Sequence, residues 1–380
     1  MTTTTKETDS TTSNKNGYKK TKLGWIPEEW EVVKIDSIFR LGSGSTKPSE
    51  IVDQSTREFK YPVYGGNGIM GYSNVYKYTG ERIVIGRVGE YCGATRRVIG
   101  KYWVTDNALI TKDFIRSDIS ITYLTFKLIQ ENLSKLRNKG GQPLISQKPI
   151  YSKKIPLPPL PEQEKIAQIL STWDEAIAKQ TDLIAQKEAL KKGLMQELLT
   201  GKKRLKGFTD KWKEVKLGEV LTFGSGKDYK HLNSGNIPVF GTGGFMTSVD
   251  DYLYDGDSVG IGRKGTINKP IFLSGKFWTV DTLFYTHSFK NILPFYVYLK
   301  FQTINWKFYN EASGVPSLSK STIEKIKILL PSLPEQQKIA AILSAADTEI
   351  EKLKAQKSAL ETQKKGLMQI LLSGKVRVKH

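Results

Sequence analysis

The chain carries two copies of one long segment, each punctuated as an unbroken helix. LPEQEKIAQILSTWDEAIAKQTDLIAQKEALKKGLMQELLTGK begins at Leu160, and LPEQQKIAAILSAADTEIEKLKAQKSALETQKKGLMQILLSGK begins at Leu333. Pro161 and Pro334 fall in the first turn, where a missing N–H leaves no hydrogen bond unmade. Glu162 and Glu335 follow at the positive end of the dipole, and capping accounts for them. Gly201 and Gly374 stop the helices where a left-handed residue is wanted, with Lys202, Lys203 and Lys375 beside the negative end. Roughly 38 residues at about 1.5 Å each make a rod of about 57 Å.

The apolar residues of these rods follow a four-three spacing. In the first they are Ile166, Leu170, Trp173, Ile177, Ile184, Leu194 and Leu198, interrupted by Gln180, Lys187 and Lys191. In the second they are Ile339, Leu343, Ala346, Ile350, Leu353, Leu360, Leu367 and Leu371, interrupted by Lys357 and Lys364. That is the seam of a coiled coil and not the broad face of a globular helix. Two arrangements are open: each helix docked on its own domain, or the two packed on each other. A rod this long overhangs a single domain, which favours the second. A dyad between the repeats then requires them to run antiparallel.

The segments before the rods also correspond. WEVVKIDSIFRLGSGS from Trp30 aligns with WKEVKLGEVLTFGSGK from Trp212, and YPVYGGNG from Tyr61 with IPVFGTGG from Ile237. IVIGRVG from Ile83 matches SVGIGRKG from Ser258, and KYWVTDNALIT from Lys101 matches KFWTVDTLFYT from Lys276. Short Val/Ile/aromatic runs punctuated by Gly and Asn are strand-and-turn chemistry. Helical spacing over residues 120–138, weaker over 293–310, then leads through GGQPLIS and SGVPSLS to KKIPLPPLP and IKILLPSLP. The fold class is α+β: two tandem α/β domains at opposite ends of an antiparallel two-helix coiled coil, with pseudo-two-fold symmetry. The boundaries are a disordered tail (1–22), a first domain (23–155), a helical spacer (156–205), a second domain (206–328) and a C-terminal spacer (329–380).

Charge narrows the partner. Lys and Arg number 58 against 38 Asp and Glu, a net charge of +20, and aromatic residues make up 10% of the chain. That balance favours a polyanion over an acidic small molecule, and duplex DNA read at two half-sites matches a doubled chain. The single cysteine, Cys92, excludes an internal disulfide framework and points to a reducing, cytoplasmic setting. No run approaches the length of a membrane span.

Motifs for catalysis or metal binding are weak. Gly66, Gly68 and Gly71 match a dinucleotide fingerprint, but SNVYKYTGER after them is no amphipathic helix, so a glycine hairpin is the sounder reading. His231, His287 and His380 pair with no cysteine at zinc spacing. The residues that remain are basic. Arg87, Arg96 and Arg97 in the first domain and Arg263, Lys264 and Lys269 in the second are candidates for DNA contact. Lys60, Lys77, Lys227 and Lys230 are candidates for positioning phosphates. Arg87 and Arg263 occupy matched positions; base contact and a structural role both remain open to that pair.

The LPxLPEQ(E/Q)KIA openings and KKGLMQ–LL–GK endings resemble the DNA-specificity subunit of type I restriction–modification systems across nearly everything after the tail. The resemblance implies two target-recognition domains, each reading half of a split sequence in the major groove of double-stranded DNA. It implies helices that act as a ruler and dock two modification (methyltransferase) subunits, with restriction (translocase and nuclease) subunits joining them. It also implies that no cofactor resides on this chain, with S-adenosylmethionine, ATP and magnesium on the partner subunits, and that the chain is not itself an enzyme. A stand-alone DNA-binding regulator or architectural protein is the alternative.

Overall fold

The computed structural model describes residues 16–138 and 140–378. It forms two compact units, one of residues up to 179 together with those from 357 onward, the other of residues 180–356. Each unit therefore holds the beginning of one long helix and the end of the other. Among the described residues no helix is long and apolar enough to cross a membrane.

In the first unit two four-stranded sheets stack beneath a helical layer. One sheet has the order Gly68–Ser73, Tyr61–Gly65, Lys101–Val104, Tyr78–Thr79, with a parallel pair at its centre. The other has the order Phe39–Ser43, Ala108–Phe114, Arg82–Gly86, Thr95–Val98, all antiparallel. The run RIVIG is buried on both faces, as a middle layer requires. Ile83 and Ile85 face Leu124 and Leu128 of the helix Ile121–Glu131, while Val84 packs with Tyr102 and Val104 of the other sheet. That helix ends earlier than its apolar spacing predicts. Asn132 adopts a left-handed φ of 48°, and Leu133–Leu136 continues as a single 3-10 turn.

The second unit repeats this topology strand for strand. Its sheets run Gly244–Val249, Ser234–Gly241, Lys276–Thr279, Tyr254–Asp255 and Thr222–Ser225, Leu283–His287, Ser258–Gly262, Ile271–Leu273. The parallel pair recurs, with Val239 opposite Trp278 where the first unit has Val63 opposite Trp103. The helical layer here is Pro294–Phe301 plus the 3-10 turn Trp306–Tyr309, so the weak spacing over 293–310 resolves into two short pieces. In each unit the proline-rich segment before the long helix is a strand, Lys154–Leu157 or Lys327–Leu330, paired with Glu31–Lys34 or Lys213–Lys216.

The long helices span Leu160–Leu198 and Leu333–Leu371, and Gly201 and Gly374 beyond them have φ of 74° and 72°. Within each unit the two helix segments pack antiparallel. In the first, Ile166 and Leu170 share a core with Leu371 and Leu372, and Lys364 pairs with Asp174 at 2.5 Å. In the second, Leu198 shares a core with Ile339 and Leu343, and Lys191 and Lys187 pair with Asp347 and Glu349 at 2.5 and 2.7 Å. Lys187, Lys191 and Lys364 thus pair across the helices, whereas Lys357 pairs within its own, with Glu361 at 3.8 Å. Gln180 donates to the Leu353 carbonyl at 3.0 Å. Every seam residue named above is buried or half-buried.

Glu162 and Glu335 do more than cap. Glu162 is fully buried, accepts the Trp30 indole N–H at 2.9 Å, and is gripped by Arg377 Nε and Nη2 at 2.7 and 2.9 Å. Glu335, also buried, accepts Trp212 Nε1 at 2.9 Å and Arg204 Nε and Nη2 at 2.9 Å each. The next residues, Gln163 and Gln336, spend both ends of their amides on backbone. Gln163 accepts from Ser120 N–H and donates to the Asp118 and Pro158 carbonyls; Gln336 accepts from Leu293 N–H and donates to Asn291 and Pro331. The LPEQ motif is a latch. It fixes the start of one helix to the domain before it and to the arginine that follows the end of the other helix.

The expectation of a disordered tail needs correction at its end. Tyr18–Thr21 forms a hairpin with Gly24–Pro27, and Ile26 is buried against Trp30 in the helix-docking core. Residues 1–15 lie outside the described residues.

Candidate nucleic-acid interface

At one end of the first unit, loops rich in glycine are tied to one another through backbone. Gly44 N–H donates to the Ala108 carbonyl (3.0 Å), Ser45 N–H to Val104 (2.8 Å), and Asp106 N–H returns to Ser45 (3.0 Å). A Cβ on Gly44 would lie 2.1 Å from the Thr105 oxygen, so only glycine allows this approach. Trp103 Nε1 donates to the Thr46 carbonyl at 3.1 Å, fixing the same loop from the side. The Arg87 backbone is held on both of its polar groups: its N–H donates to Asn107 (2.9 Å), and its carbonyl accepts Ile145 N–H (2.9 Å). The guanidinium donates to Ser43 Oγ at 3.0 Å and borders a cavity of about 330 Å³ with Ser146, Gln147 and Lys148.

The second unit builds the same rim. Gly226 N–H donates to Leu283 (3.1 Å), Lys227 N–H to Thr279 (2.9 Å), and Trp278 Nε1 to the Lys227 carbonyl (2.8 Å). A Cβ on Gly226 would meet the Val280 oxygen at 2.0 Å. Arg263 N–H donates to Thr282 (2.7 Å), and its carbonyl accepts Leu318 N–H (2.9 Å). Its exposed guanidinium lies 5.9 Å from the Phe284 ring centroid, as does the Lys320 ammonium. Each unit thus offers an arginine whose backbone is held at both polar groups and whose guanidinium keeps a local hydrogen bond, to Ser43 Oγ in the first and to the Asp281 carbonyl at 3.5 Å in the second.

A family model for the type I restriction modification DNA specificity domain matches the chain twice, over residues 27–188 and 209–362. The chain belongs to that family. It is a type I restriction–modification specificity subunit with two target-recognition domains. It is 28% identical to the type I restriction enzyme MjaVIII specificity subunit of Methanocaldococcus jannaschii, over 93% of this chain and 95% of that one. Against the EcoprrI specificity subunit of Escherichia coli it is 28% identical over 42% of this chain and 40% of that one. The fold is that of the type I system S subunit from M. genitalium, with a TM-score of 0.65 at 21% identity, covering 90% of this chain and 96% of that one.

The other basic candidates of this specificity subunit divide between the rims and elsewhere. Arg96 is half-buried beside the glycine hairpin, with Nη1 3.4 Å from the Gly65 carbonyl, and burial pushes its pKa down. Arg97 is placed differently. It points to the opposite face of the strand Thr95–Val98, as strand alternation demands, pairs with Glu81 at 3.1 Å and donates to Thr122 Oγ1. It borders a cavity that Arg96, Asp174 and Glu175 also line. Lys60 precedes the strand Tyr61–Gly65 and so lies at the end away from the glycine turn, over the Tyr61 ring at 5.4 Å. Lys77 sits over Trp103 at 5.8 Å, on the flank of the rim. Lys264 and Lys269 share the exposed loop of Arg263, and Lys227 and Lys230 are exposed in the loop that Trp278 pins. Lys148 and Lys320 went unnoticed in the sequence. They belong to the short helices Gln147–Ser152 and Lys320–Glu324, and only the fold brings them beside Arg87 and Arg263.

Proposed function

We propose that each target-recognition domain reads one half of a bipartite duplex DNA site through its glycine-built rim, with Arg87 and Arg263 contacting bases and the neighbouring lysines contacting phosphates. The observation that carries this reading is the rim itself, built twice from matched backbone hydrogen bonds around an arginine held at both backbone groups. Such rigidity serves base readout, because a bidentate grip on guanine O6 and N7 tolerates little misplacement. Lys227, Lys230, Lys264 and Lys269 supply the sequence-blind part of the affinity, and binding falls steeply with added salt.

The chain supplies recognition and not chemistry. Two methyltransferase subunits dock on it, nuclease–translocase subunits join them, and S-adenosylmethionine, ATP and magnesium belong to those partners in the cytoplasm. The acidic pair that opens the long helices supports this reading, since both carboxylates are occupied by arginine and indole. The length of the paired helices sets the unspecified spacer. Seven residues inserted at matched points in both helices keep the seam in phase and add about 10 Å. At about 3.4 Å per base pair the accepted spacer grows by about three. Modified-base mapping of DNA exposed to the assembled methyltransferase tests the reading: two short specified blocks flanking an unspecified gap support it, and one continuous motif overturns it.

A further inference from the structure

The glycine hairpins beside the two arginine loops carry a feature that the arginines do not explain. In the first, Tyr64 pairs with Ile69 and Val63 with Gly71, which leaves Met70 as an extra, bulged residue. In the second, Phe240 pairs with Phe245 and Val239 with Thr247, which leaves Met246 in the same place. A bulge interrupts the alternation of side chains and re-aims them. Two consecutive apolar residues are therefore both exposed: Ile69 and Met70 at 51% and 43%, Phe245 and Met246 at 64% and 51%. A single exposed apolar residue is ordinary; a bulge-built pair at one position of both units calls for a reason.

Both tips abut the rims. A Cβ on Gly86, next to Arg87, would lie 2.6 Å from the Gly66 oxygen, and one on Gly265, two residues past Arg263, would lie 3.8 Å from Thr242 Oγ1. The tips thus lie beside the arginine loops, within reach of a partner that those loops contact. Resting on the DNA reading above, the partner is a base-pair edge, and in the major groove the one apolar group presented there is the C5-methyl of thymine. We propose that the bulged tips are specificity-determining contacts to thymine methyl groups, Ile69 and Met70 in one half-site and Phe245 and Met246 in the other. The ring at 245 against the branched chain at 69 makes the two readings unequal.

The test uses the full chain, alone and assembled with its methyltransferase partners. Duplexes selected from a random library supply the site, and deoxyuridine then replaces each thymidine in turn, removing only the methyl group. At one thymidine in each block, wild-type binding falls about fivefold or more. Phe245→Ala abolishes that sensitivity in one block and leaves it in the other, Ile69→Ala does the reverse, and Phe245→Leu retains it. Both side chains are more than half exposed, so unchanged melting confirms that the variants fold. Retention of wild-type sensitivity in both alanine variants overturns the inference, as does a site whose thymidines all tolerate the swap. A wild-type protein that selects no motif overturns the DNA reading itself, a different failure.

Discussion

The two units seize the end of a long helix with the same residue and balance its charge differently. In the first, Lys127 is 3% exposed and donates to the Leu372 carbonyl at 3.0 Å, where the negative end of a helix favours a cation. Glu131 pairs with it at 2.9 Å and is itself held by Lys153 at 2.8 Å. In the second, Lys300 donates to the Leu199 carbonyl at 2.5 Å, and no carboxylate pairs with it among the described residues. Burial lowers the pKa of both lysines; Glu131 opposes the shift at Lys127, while Lys300 is pushed down to about 8. The backbone task is duplicated but its electrostatic compensation is not. The latches show the opposite case, with glutamate, arginine and tryptophan repeated atom for atom.

The largest test removes a latch. Glu162→Ala or Glu335→Ala takes from an indole N–H its acceptor, at about 1–3 kcal/mol for the indole alone, and from an arginine its main carboxylate, although Arg377 keeps Glu29 at 2.7 Å. Hydrogen exchange should show the loss confined to the unit that carries the change. Equal loosening of both units would break the comparison.

Next comes the pH dependence of the lysines. A lysine whose folded pKa lies below its unfolded value binds fewer protons when folded between the two, so stability rises with pH across that window. For Lys300 the window runs from about 8 to the ordinary 10.5, and its full span is worth about 3 kcal/mol. The stabilisation is complete above the unfolded pKa and lost as pH falls through the folded one. Lys300→Met should remove this contribution from denaturation curves taken across the window. Glu131→Gln should give the first unit a steeper rise of the same sign; no change there would mean that Glu131 does not offset the burial of Lys127.

Smaller effects separate the rims from their surroundings. Arg87→Ala and Arg263→Ala should each cost about 1–3 kcal/mol of discrimination in a single half-site, read by competition with mismatched duplexes. A uniform loss of affinity would reassign the pair to phosphate or to structure. Arg97→Ala, already engaged by Glu81 in a half-exposed pair, should change DNA affinity by less than about 0.5 kcal/mol. A loss as large as that for Arg87 would return Arg97 to the interface.

What could be read from the sequence was local or repeated. Seam spacing, first-turn prolines and terminal glycines are set within a few residues, and the helices begin and end close to where those signals put them. The glycine hairpin at residues 65–68 was equally legible from its turn chemistry. The latch was not, because Glu162 meets Trp30 and Arg377 from distant parts of the chain, and capping explained the same glutamate without them. Arg96 and Arg97 looked equivalent until strand register put them on opposite faces. Lys148 and Lys320 carried no signal, since only the returning loops bring them to the arginines.

The central claim is that one chain carries two independent reading heads. Sequencing the duplexes retained from a random library by wild-type, Arg87→Ala and Arg263→Ala proteins tests it most directly. Two blocks should emerge for the wild type, with each substitution degrading a different block and sparing the other. A single continuous motif, or both substitutions eroding the same positions, would contradict it.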